Sequence, residues 1–402
     1  MENSHKSDKR IFPSIAAARL AFCAAAAGAS LLAFAAKRHG ADGIEKYDPR
    51  MAAAEASGKG LEWIDGRDLP LEGKAFPDTS HWYDRLPANV SGNVNAGVRK
   101  MKHHTAGMQF RFSTDSKRLC FKWTPLFKSL AMDHMPATGA SGIDVYRFDG
   151  ETGKWVYVKT GRIGKAAEGS LEIPWIPGAP CLVNLPLYNG IKKFSLGVEK
   201  GSSVKPLPPR KSGIAKPVVF YGTSITHGGC ASRPGMSFVN IVGRELDVPV
   251  VNLGFSGSGV MEYEMSEHLA AIDASCYVLD CLWNMGSLKG TPKKGRNVEE
   301  NYEKFIRNLR AKRPGVPIVM AGMCDVYGGG ENAKDVFVRN LFAKLKAEGW
   351  KDLILLPKAG MYTGCEGTVD GVHPNDWGMM SMAKAYGGAV AEALRSGKGA
   401  GK

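Results

Sequence analysis

The sequence lacks the cysteine spacing of a metal site or a redox pair. Its 402 residues include eight cysteines, and no two of them stand at CxxC spacing. A cysteine-based metal site is therefore not indicated. Loss of an N-terminal segment carrying Cys23 would leave seven cysteines, an odd number for a disulfide framework, although one disulfide stays open. Cys276 and Cys281 fall in a very apolar stretch, where a cysteine is usually a small buried hydrophobe.

The signatures of nucleic-acid binding are also missing, despite a formal net charge of +14. Basic residues are scattered in short groups such as Lys192-Lys193 and Lys293-Lys294, with no basic helix, RNP-type aromatic motif or zinc-finger spacing. We expect a solvated basic surface and no nucleic-acid partner. Attraction to anionic envelope polymers or acidic glycans is the alternative that this charge leaves open.

The N-terminus has the features of an export signal. Met1–Arg10 is polar and net positive, and the clean apolar stretch Leu20–Ala36 spans 17 residues. That length is short for a transmembrane helix but adequate for a signal core, and Ala33-Phe34-Ala35 offers small residues for cleavage. Residues 1–36 are therefore predicted to be a signal peptide that exports the protein to the periplasm or outside the cell. An uncleaved membrane anchor is the alternative.

The rest of the chain divides by texture into two domains. Residues 37–60 are polar and form a predicted linker, and residues 61–200 contain short alternating runs such as Met108–Phe112 and Leu119–Trp123, which predict a β-sandwich. Residues 201–216 are proline-rich and basic, as in a linker or a bound strap. Residues 217–398 alternate apolar strands with amphipathic helices, which predicts a parallel sheet covered by helices on both faces. In such sheets the active site lies beyond the carboxyl ends of the strands.

The first candidate catalytic residue is Ser224, directly after the predicted strand Val218–Tyr221. A serine at this point can expose its hydroxyl, while neighbouring backbone N–H groups face an oxyanion. Gly222 eases the turn that leaves the sheet. A serine that merely caps the next helix fits the same pattern.

Asp370 and His373 form the second candidate group, in the sequence Asp370-Gly371-Val372-His373-Pro374 after the last predicted strand. A step of three residues on one loop lets the carboxylate hold the imidazole in the tautomer that accepts a serine proton. The alternatives are a turn aspartate beside an exposed histidine, or two ligands of a metal. No third ligand of a suitable type stands nearby in the sequence, so no metal is predicted.

Two further strand ends carry neutral hydrogen-bond donors. Gly257 follows the predicted strand Val250–Leu253, and Asn284 follows Tyr277–Leu282. A glycine N–H and an asparagine amide can stabilise a tetrahedral oxyanion, although each alone is more typical of a turn. Four strand ends thus carry Ser, Gly, Asn and Asp-x-x-His in that order, which predicts one hydrolytic site.

This order resembles the SGNH, or GDSL-like, hydrolase superfamily. The resemblance implies a flavodoxin-like parallel sheet with Ser224 as nucleophile and Asp370 and His373 as its triad partners. It also implies an oxyanion hole formed by the Ser224 N–H, the Gly257 N–H and the Asn284 side chain. Thr223 stands where the superfamily usually has an aspartate, which bears on the bracing of the loop more than on the chemistry.

A narrower resemblance extends over almost the whole chain after residue 60. The run from Gly222 to Gly235 is similar to a subgroup in which a β-sandwich named for a Gly-x-Asp-Leu-Tyr motif precedes the hydrolase domain, and Gly142-Ile143-Asp144-Val145-Tyr146 is similar to that motif. Some members resemble carbohydrate O-acetylesterases. The resemblance therefore implies two-step hydrolysis of a short-chain, acetyl-type ester of a small molecule or a glycan, without a cofactor. It gives no oligomeric state.

Two neighbouring side chains and two rival functions complete the predictions. His227 and Trp283 are predicted to line the acyl or leaving-group pocket, with packing of the loops as the alternative. His103-His104 is interpreted as a polar strand edge rather than a metal pair. The rivals are a lipase or thioesterase acting on other acyl esters, and a glycan-binding protein with an inactive hydrolase domain.

Overall fold

The structure, a computed structural model, describes residues 58–399 except 91, 165–166, 287, 289–297, 324–329 and 362–363. The predicted signal segment 1–36 and most of the predicted linker 37–60 lie outside the described residues. Within the described part of the chain, no helix is both long and apolar enough to cross a membrane.

The first part of the chain forms one antiparallel sheet. Its strands are β1 (Leu61–Asp65), β2 (Leu71–Glu72), β3 (Gln109–Thr114), β4 (Arg118–Pro125), β5 (Ile143–Asp149), β6 (Lys154–Ile163), β7 (Gly169–Pro174), β8 (Pro180–Asn184), β9 (Ile191–Glu199) and β10 (Val204–Pro206). Their order across the sheet is β1-β9-β4-β7-β6-β5-β8-β3-β10, with β2 also paired to β3. Strand β10 lies inside the predicted linker 201–216, so that segment is partly a strand at the sheet edge.

The sheet curls over on itself instead of dividing into two separate sheets. Strand β6 connects the two halves of the sheet, because it pairs with β5 over most of its length and with β7 at Arg162 and Ile163. The two halves nevertheless face one another across a single apolar core. Phe110 on β3 and Phe194 on β9 are not on neighbouring strands, yet their ring centroids are 4.7 Å apart.

The second part of the chain contains a five-stranded sheet in which every pair is parallel. Its strands are β11 (Val218–Gly222), β12 (Val250–Gly254), β13 (Cys276–Asp280), β14 (Ile318–Ala321) and β15 (Leu353–Leu356), in the order β12-β11-β13-β14-β15. This is the flavodoxin-like order, in which ligands bind where the strand order reverses beside the first strand. All residues of β11, β12 and β13 are buried, as expected for strands covered on both faces.

Helices cover both faces of this sheet. The α-helices among the described residues are α1 (Ala96–Met101), α2 (Ala137–Ala140), α3 (Ser224–His227), α4 (Phe238–Glu245), α5 (Tyr263–Ala271), α6 (Val298–Lys312), α7 (Ala333–Ala347) and α8 (Asp376–Gly399). Val219 and Tyr221 of β11 pack in the core with α5, α6 and α7, whereas Val218 and Phe220 pack in the core with α4 and α8. The alternation along one strand therefore builds two apolar layers.

Asp144, the aspartate of the Gly-x-Asp-Leu-Tyr-like motif, links the two sheets. It is completely buried and accepts hydrogen bonds from Asn184 Nδ2, from Arg233 Nη1 and from the Gly235 N–H, each at 2.8 Å. Arg233 and Gly235 lie on the segment that follows α3. The motif of the first sheet therefore fixes the chain that comes after Ser224.

The structure also tests the predictions made for the His103-His104 pair and for the cysteines. His103 and His104 lie in the turn after α1 rather than on a strand edge, so that interpretation was wrong. Five of the eight cysteines, Cys120, Cys181, Cys230, Cys276 and Cys281, are buried free thiols. Cys276 and Cys281 therefore behave as the small buried hydrophobes that their apolar surroundings predicted.

Candidate active site

Ser224 is the first residue of α3, at the carboxyl end of the central strand β11. Thr223 caps this helix by accepting a hydrogen bond from the Ile225 N–H at 3.2 Å, so Ser224 is not the capping residue. Gly222 is required by close packing, because a Cβ there would stand 2.1 Å from Thr226 Oγ1. The hydroxyl of Ser224 is consequently left to face the loop that carries His373.

A continuous hydrogen-bond chain joins the three residues predicted to form a triad. Ser224 Oγ lies 2.8 Å from His373 Nε2, and His373 Nδ1 lies 2.7 Å from Asp370 Oδ2. The other carboxylate oxygen, Asp370 Oδ1, accepts the backbone N–H groups of His373 at 2.7 Å and of Val372 at 3.0 Å. The structure thus brings together residues that are 149 positions apart.

The surroundings of Asp370 keep its carboxyl ionised. Burial opposes the charge, but the backbone N–H of His373, the His373 side chain and the Val372 N–H donate to the carboxylate, and the pKa of Asp370 is lowered on balance. An ionised Asp370 next to Nδ1 holds the His373 proton on that nitrogen. Nε2 is then free to accept a proton from Ser224.

The two predicted oxyanion donors flank Ser224 on the neighbouring strands. Gly257 follows β12 and has a φ of 62°, a left-handed conformation that favours glycine, and a Cβ there would meet nothing within 4 Å. Asn284 follows β13, and its Nδ2 donates to the Phe255 carbonyl at 3.2 Å. This bond fixes the amide against the Gly257 loop, and the second N–H of the same nitrogen is the one an oxyanion would use.

The curled sheet contributes two side chains that sequence reasoning missed. The Tyr188 hydroxyl donates to the Ser224 carbonyl at 3.0 Å, and its ring stacks on His227 at 4.1 Å between centroids. The exposed His134 packs edge-on against the His373 ring at 5.4 Å. Neither carries a local signal, because the contacts arise only when the curled sheet docks on the part of the chain that contains the parallel sheet.

A buried arginine lies behind the site. Arg85 donates to the carbonyls of Asn252 at 3.1 Å and Gly254 at 2.8 Å, at the end of β12, and to Met101 at 2.8 Å. Its guanidinium also lies 4.6 Å from the centre of the Phe255 ring. Burial lowers the pKa of Arg85 to about 9, so it still carries a charge at neutral pH.

His227 belongs to this buried layer rather than to an open pocket. It has no exposed surface, and its Nε2 lies 3.2 Å from His104 Nδ1 and 3.4 Å from Arg85 Nη2. Burial, reinforced by the Arg85 charge, lowers the pKa of His104 to about 3 and that of His227 well below its usual value. Both rings are therefore neutral at working pH. The prediction that His227 lines the substrate pocket was wrong, because the ring packs the loops.

Two tryptophans stand near the site with different exposure. Trp283, next to Asn284, is half-buried and packs against the core beneath α8. Trp377 lies in the first turn of α8, four positions after His373, and is 58% exposed. An exposed indole close in sequence to His373 offers a flat apolar face to a ligand. The sequence signal for Trp377 was its place just beyond the Asp-x-x-His motif.

The site contains one cluster of atoms that could ligate a metal. Ligand atoms of His134, Cys230 and His373 lie within 4.8 Å of one another. Burial, together with the charge of Asp370, raises the pKa of the Cys230 thiol to about 12. His373 is hydrogen-bonded through both ring nitrogens, to Ser224 Oγ and to Asp370 Oδ2. The arrangement fits proton transfer rather than metal binding.

Two family models match adjoining parts of the chain. Residues 215–391 match the GDSL-like Lipase/Acylhydrolase family, and residues 61–204 match a family described as the N-terminus of Esterase_SGNH_hydro-type, GxDLY. No curated protein matches the chain at a significant level.

Solved structures resemble the chain over most of its length. A candidate GDSL-like lipase from Bacteroides ovatus ATCC 8483 is 28% identical with a TM-score of 0.71, covering 83% of this chain and 98% of that one. The salicylyl-acyltransferase SsfX3 of a tetracycline biosynthetic pathway is 17% identical with a TM-score of 0.66, over 84% and 98%. A family two carbohydrate esterase from Clostridium thermocellum, in complex with cellohexaose, is 13% identical with a TM-score of 0.52, over 72% and 94%. The last two likenesses concern the fold alone.

Proposed function

We propose that this chain, which belongs to the GDSL-like lipase/acylhydrolase family and is a serine ester hydrolase, removes acetyl or similarly short acyl groups from the hydroxyls of carbohydrates. The observation that carries the proposal is the hydrogen-bond chain from Ser224 through His373 to Asp370 at the carboxyl edge of the parallel sheet. The curled sheet is, in this proposal, the GxDLY-type β-sandwich of such enzymes.

The reaction proceeds by two acyl transfers. Ser224 Oγ attacks the ester carbonyl while His373 Nε2 takes its proton, which forms a tetrahedral oxyanion. The Ser224 N–H, the Gly257 N–H and the Asn284 side chain donate to that oxygen. His373 then protonates the departing alcohol, the C–O bond of the ester breaks, and water hydrolyses the acyl-enzyme by the same path. These steps use no metal or cofactor.

A short acyl group is favoured by what lies behind the serine. Ser224 is only 8% exposed, and the Tyr188 ring, whose hydroxyl donates to the Ser224 carbonyl, stacks on the buried His227 ring. A long acyl chain needs a wide apolar groove, which these packed rings would block. The lipase alternative therefore has less support than an acetylesterase.

A carbohydrate leaving group is favoured by an exposed aromatic side chain four positions after His373. Trp377 presents an exposed indole, and such faces stack on sugar rings. Trp283 is the second candidate for sugar or acyl contact. A family two carbohydrate esterase shares the fold, and its structure contains cellohexaose. Export through residues 1–36 would place such an enzyme where glycans are found.

The test compares small esters with acetylated polysaccharides. Initial rates on p-nitrophenyl acetate, butyrate and octanoate measure acyl preference, and acetate release from acetylated xylan or cellulose measures the leaving group. We expect the rates to fall steeply from acetate to octanoate. Trp377→Ala should raise KM for the polymer several-fold and leave the p-nitrophenyl acetate rate unchanged. Octanoate as the best ester, or no acetate released from any glycan, would contradict the proposed substrate class.

A further inference from the structure

A second cluster of metal-ligating atoms lies away from Ser224, where the segment before α1 meets the turn after it. His103 Nδ1 is 2.8 Å from Asp84 Oδ1, His81 Nδ1 is 3.2 Å from His103 Nδ1, and His81 Nδ1 is 3.5 Å from Asp84 Oδ1. Two imidazole nitrogens and one carboxylate oxygen therefore converge on one point.

Two sides of this triangle are close to the distance between neighbouring ligands of a zinc site. Zn²⁺ binds histidine nitrogen and carboxylate oxygen at about 2.0–2.2 Å, which places neighbouring ligands of a tetrahedral site about 3.3–3.5 Å apart. The two separations that involve His81, 3.2 Å to His103 Nδ1 and 3.5 Å to Asp84 Oδ1, are close to that spacing, whereas the 2.8 Å between His103 Nδ1 and Asp84 Oδ1 is the shorter distance of a hydrogen bond that a cation would replace. Both rings direct the same nitrogen, Nδ1, at the same carboxylate oxygen, as the ligands of one shared cation would. A single proton on His103 Nδ1 accounts for the contact with Asp84 Oδ1 and can be shared with His81 Nδ1, so a cation bound here would displace that proton.

The burial of the Asp84 carboxylate also favours a bound cation. Asp84 is 1% exposed, and its Oδ2 is already occupied by the His81 N–H at 2.9 Å. The ion-pair partners of Asp84 within the described residues are His81 and His103. Lys74 senses the Asp84 charge, but its Nζ donates to the Phe76 carbonyl and to Thr79 Oγ1 instead. A buried carboxylate with two imidazole nitrogens beside it is a ligand set that suits a divalent cation.

We propose that His81, Asp84 and His103 bind one Zn²⁺ or a similar first-row divalent cation, with water in the fourth position. The His81 side chain is 51% exposed, which leaves the cation open to solvent on that side. The proposed hydrolytic reaction does not use this site, so the role we assign to the cation is structural.

The place of the site in the chain explains what the cation would stabilise. Asp84 precedes Arg85, and His103 precedes His104, the two residues that reach His227 behind Ser224. The Arg85 N–H also donates to the Lys102 carbonyl at 2.7 Å. A cation shared by the two segments would clamp the backbone that holds Arg85 and His104 in position.

The test is Zn²⁺ binding to the full chain after treatment with EDTA, followed by calorimetric titration and by the thermal unfolding midpoint. We compare the wild type with His81→Ala, which removes a half-exposed ligand and should not disturb folding. His134→Ala is the matched control, because it removes an exposed histidine from the other cluster. Wild type and His134→Ala should each bind one Zn²⁺ tightly, and Zn²⁺ should raise their unfolding midpoints. The affinity of His81→Ala should fall by more than about 100-fold, since loss of an outer partner of a ligand alone costs about 10- to 100-fold.

Substitution of Co²⁺ for Zn²⁺ separates the two clusters. The proposed site holds no thiolate, so its Co²⁺ spectrum should show tetrahedral d–d bands without a thiolate charge-transfer band. The proposal is overturned if wild type binds no Zn²⁺, or if His81→Ala binds it as tightly as wild type. A strong thiolate band would equally contradict it, because the cation would then be at Cys230.

Discussion

Replacing Asp370 by asparagine tests how the carboxylate controls His373. In the native site Oδ1 accepts two backbone N–H groups while Oδ2 accepts the His373 Nδ1 proton. An asparagine has only one oxygen. If that oxygen stays on the two backbone donors, its NH₂ group faces Nδ1, which must then give up its proton. The proton moves to Nε2, the atom that should accept the proton of Ser224.

The structure also sets the size of the effect. If the amide turned over, its oxygen would accept the Nδ1 proton again. The two backbone hydrogen bonds, each of about 0.5–1.5 kcal/mol, would then be lost, and the NH₂ group would face the N–H groups of Val372 and His373. Asp370 is 37% exposed, so water reduces this cost, and we expect the unproductive arrangement to be favoured by about 2–4 kcal/mol. Loss of the negative charge beside the imidazolium adds to it. Together they predict that kcat falls by about 10³–10⁴-fold.

The assay is steady-state hydrolysis of p-nitrophenyl acetate, with the thermal midpoint as a check on folding. Because the amide keeps the two backbone bonds, the midpoint should move by less than about 3 °C. Asp273→Asn is the matched control, since Asp273 is an exposed carboxylate paired with Lys216 and its loss removes the same charge. An Asp370→Asn protein that keeps more than a tenth of the wild-type kcat would refute the tautomer argument.

Three further changes test other parts of the account. Asn284→Ala should lower kcat for p-nitrophenyl acetate by about 10²–10³-fold with little change in KM, and an unchanged kcat would remove Asn284 from the oxyanion hole. Asp280 is buried, and burial raises its pKa to about 7, so its contribution to stability is complete below pH 4 and is lost as pH rises to about 7. The free energy of unfolding of the wild type in urea should therefore fall by about 4 kcal/mol over that range, and the fall should be missing in Asp280→Asn. Identical pH profiles of the two proteins would contradict the burial argument. Arg85→Met leaves three carbonyls without their donor, so it should lower the free energy of unfolding by about 2–4 kcal/mol and also reduce kcat. The control is Arg67→Met, which removes an exposed arginine and should change neither quantity.

The parallel sheet and its strand-end residues could be predicted because their signals are local. The predicted strand Val250–Leu253, for example, is a short apolar run between amphipathic helices, and the structure has β12 at Val250–Gly254. The rule that parallel strands end at one edge then collects Ser224, Gly257, Asn284 and His373 without any knowledge of distances. Strand β8 gave no alternating signal, because four of its five residues are buried.

The second layer of the site could not be predicted, because it depends on how the curled sheet docks. Tyr188 is 36 positions from Ser224, and Arg85 is 142 positions from His227. Nothing local marks either contact. The prediction for His227 failed for the same reason, since closeness to Ser224 in sequence says nothing about which side of α3 a ring faces. The contact between His81 and His103 was not predicted, because His103 was interpreted together with the adjacent His104, which contacts His227 instead.

The central claim is that Ser224 carries the acyl group, and one comparison tests it most directly. Hydrolysis of p-nitrophenyl acetate is measured for wild type, Ser224→Ala and Ser256→Ala, a serine of the neighbouring loop, with the mass of each protein recorded after treatment with a fluorophosphonate. Wild type and Ser256→Ala should turn over the ester and gain one phosphonyl group, while Ser224→Ala should lose about three to six orders of magnitude in kcat and stay unmodified. Ester turnover or labelling that survives in Ser224→Ala would contradict the account.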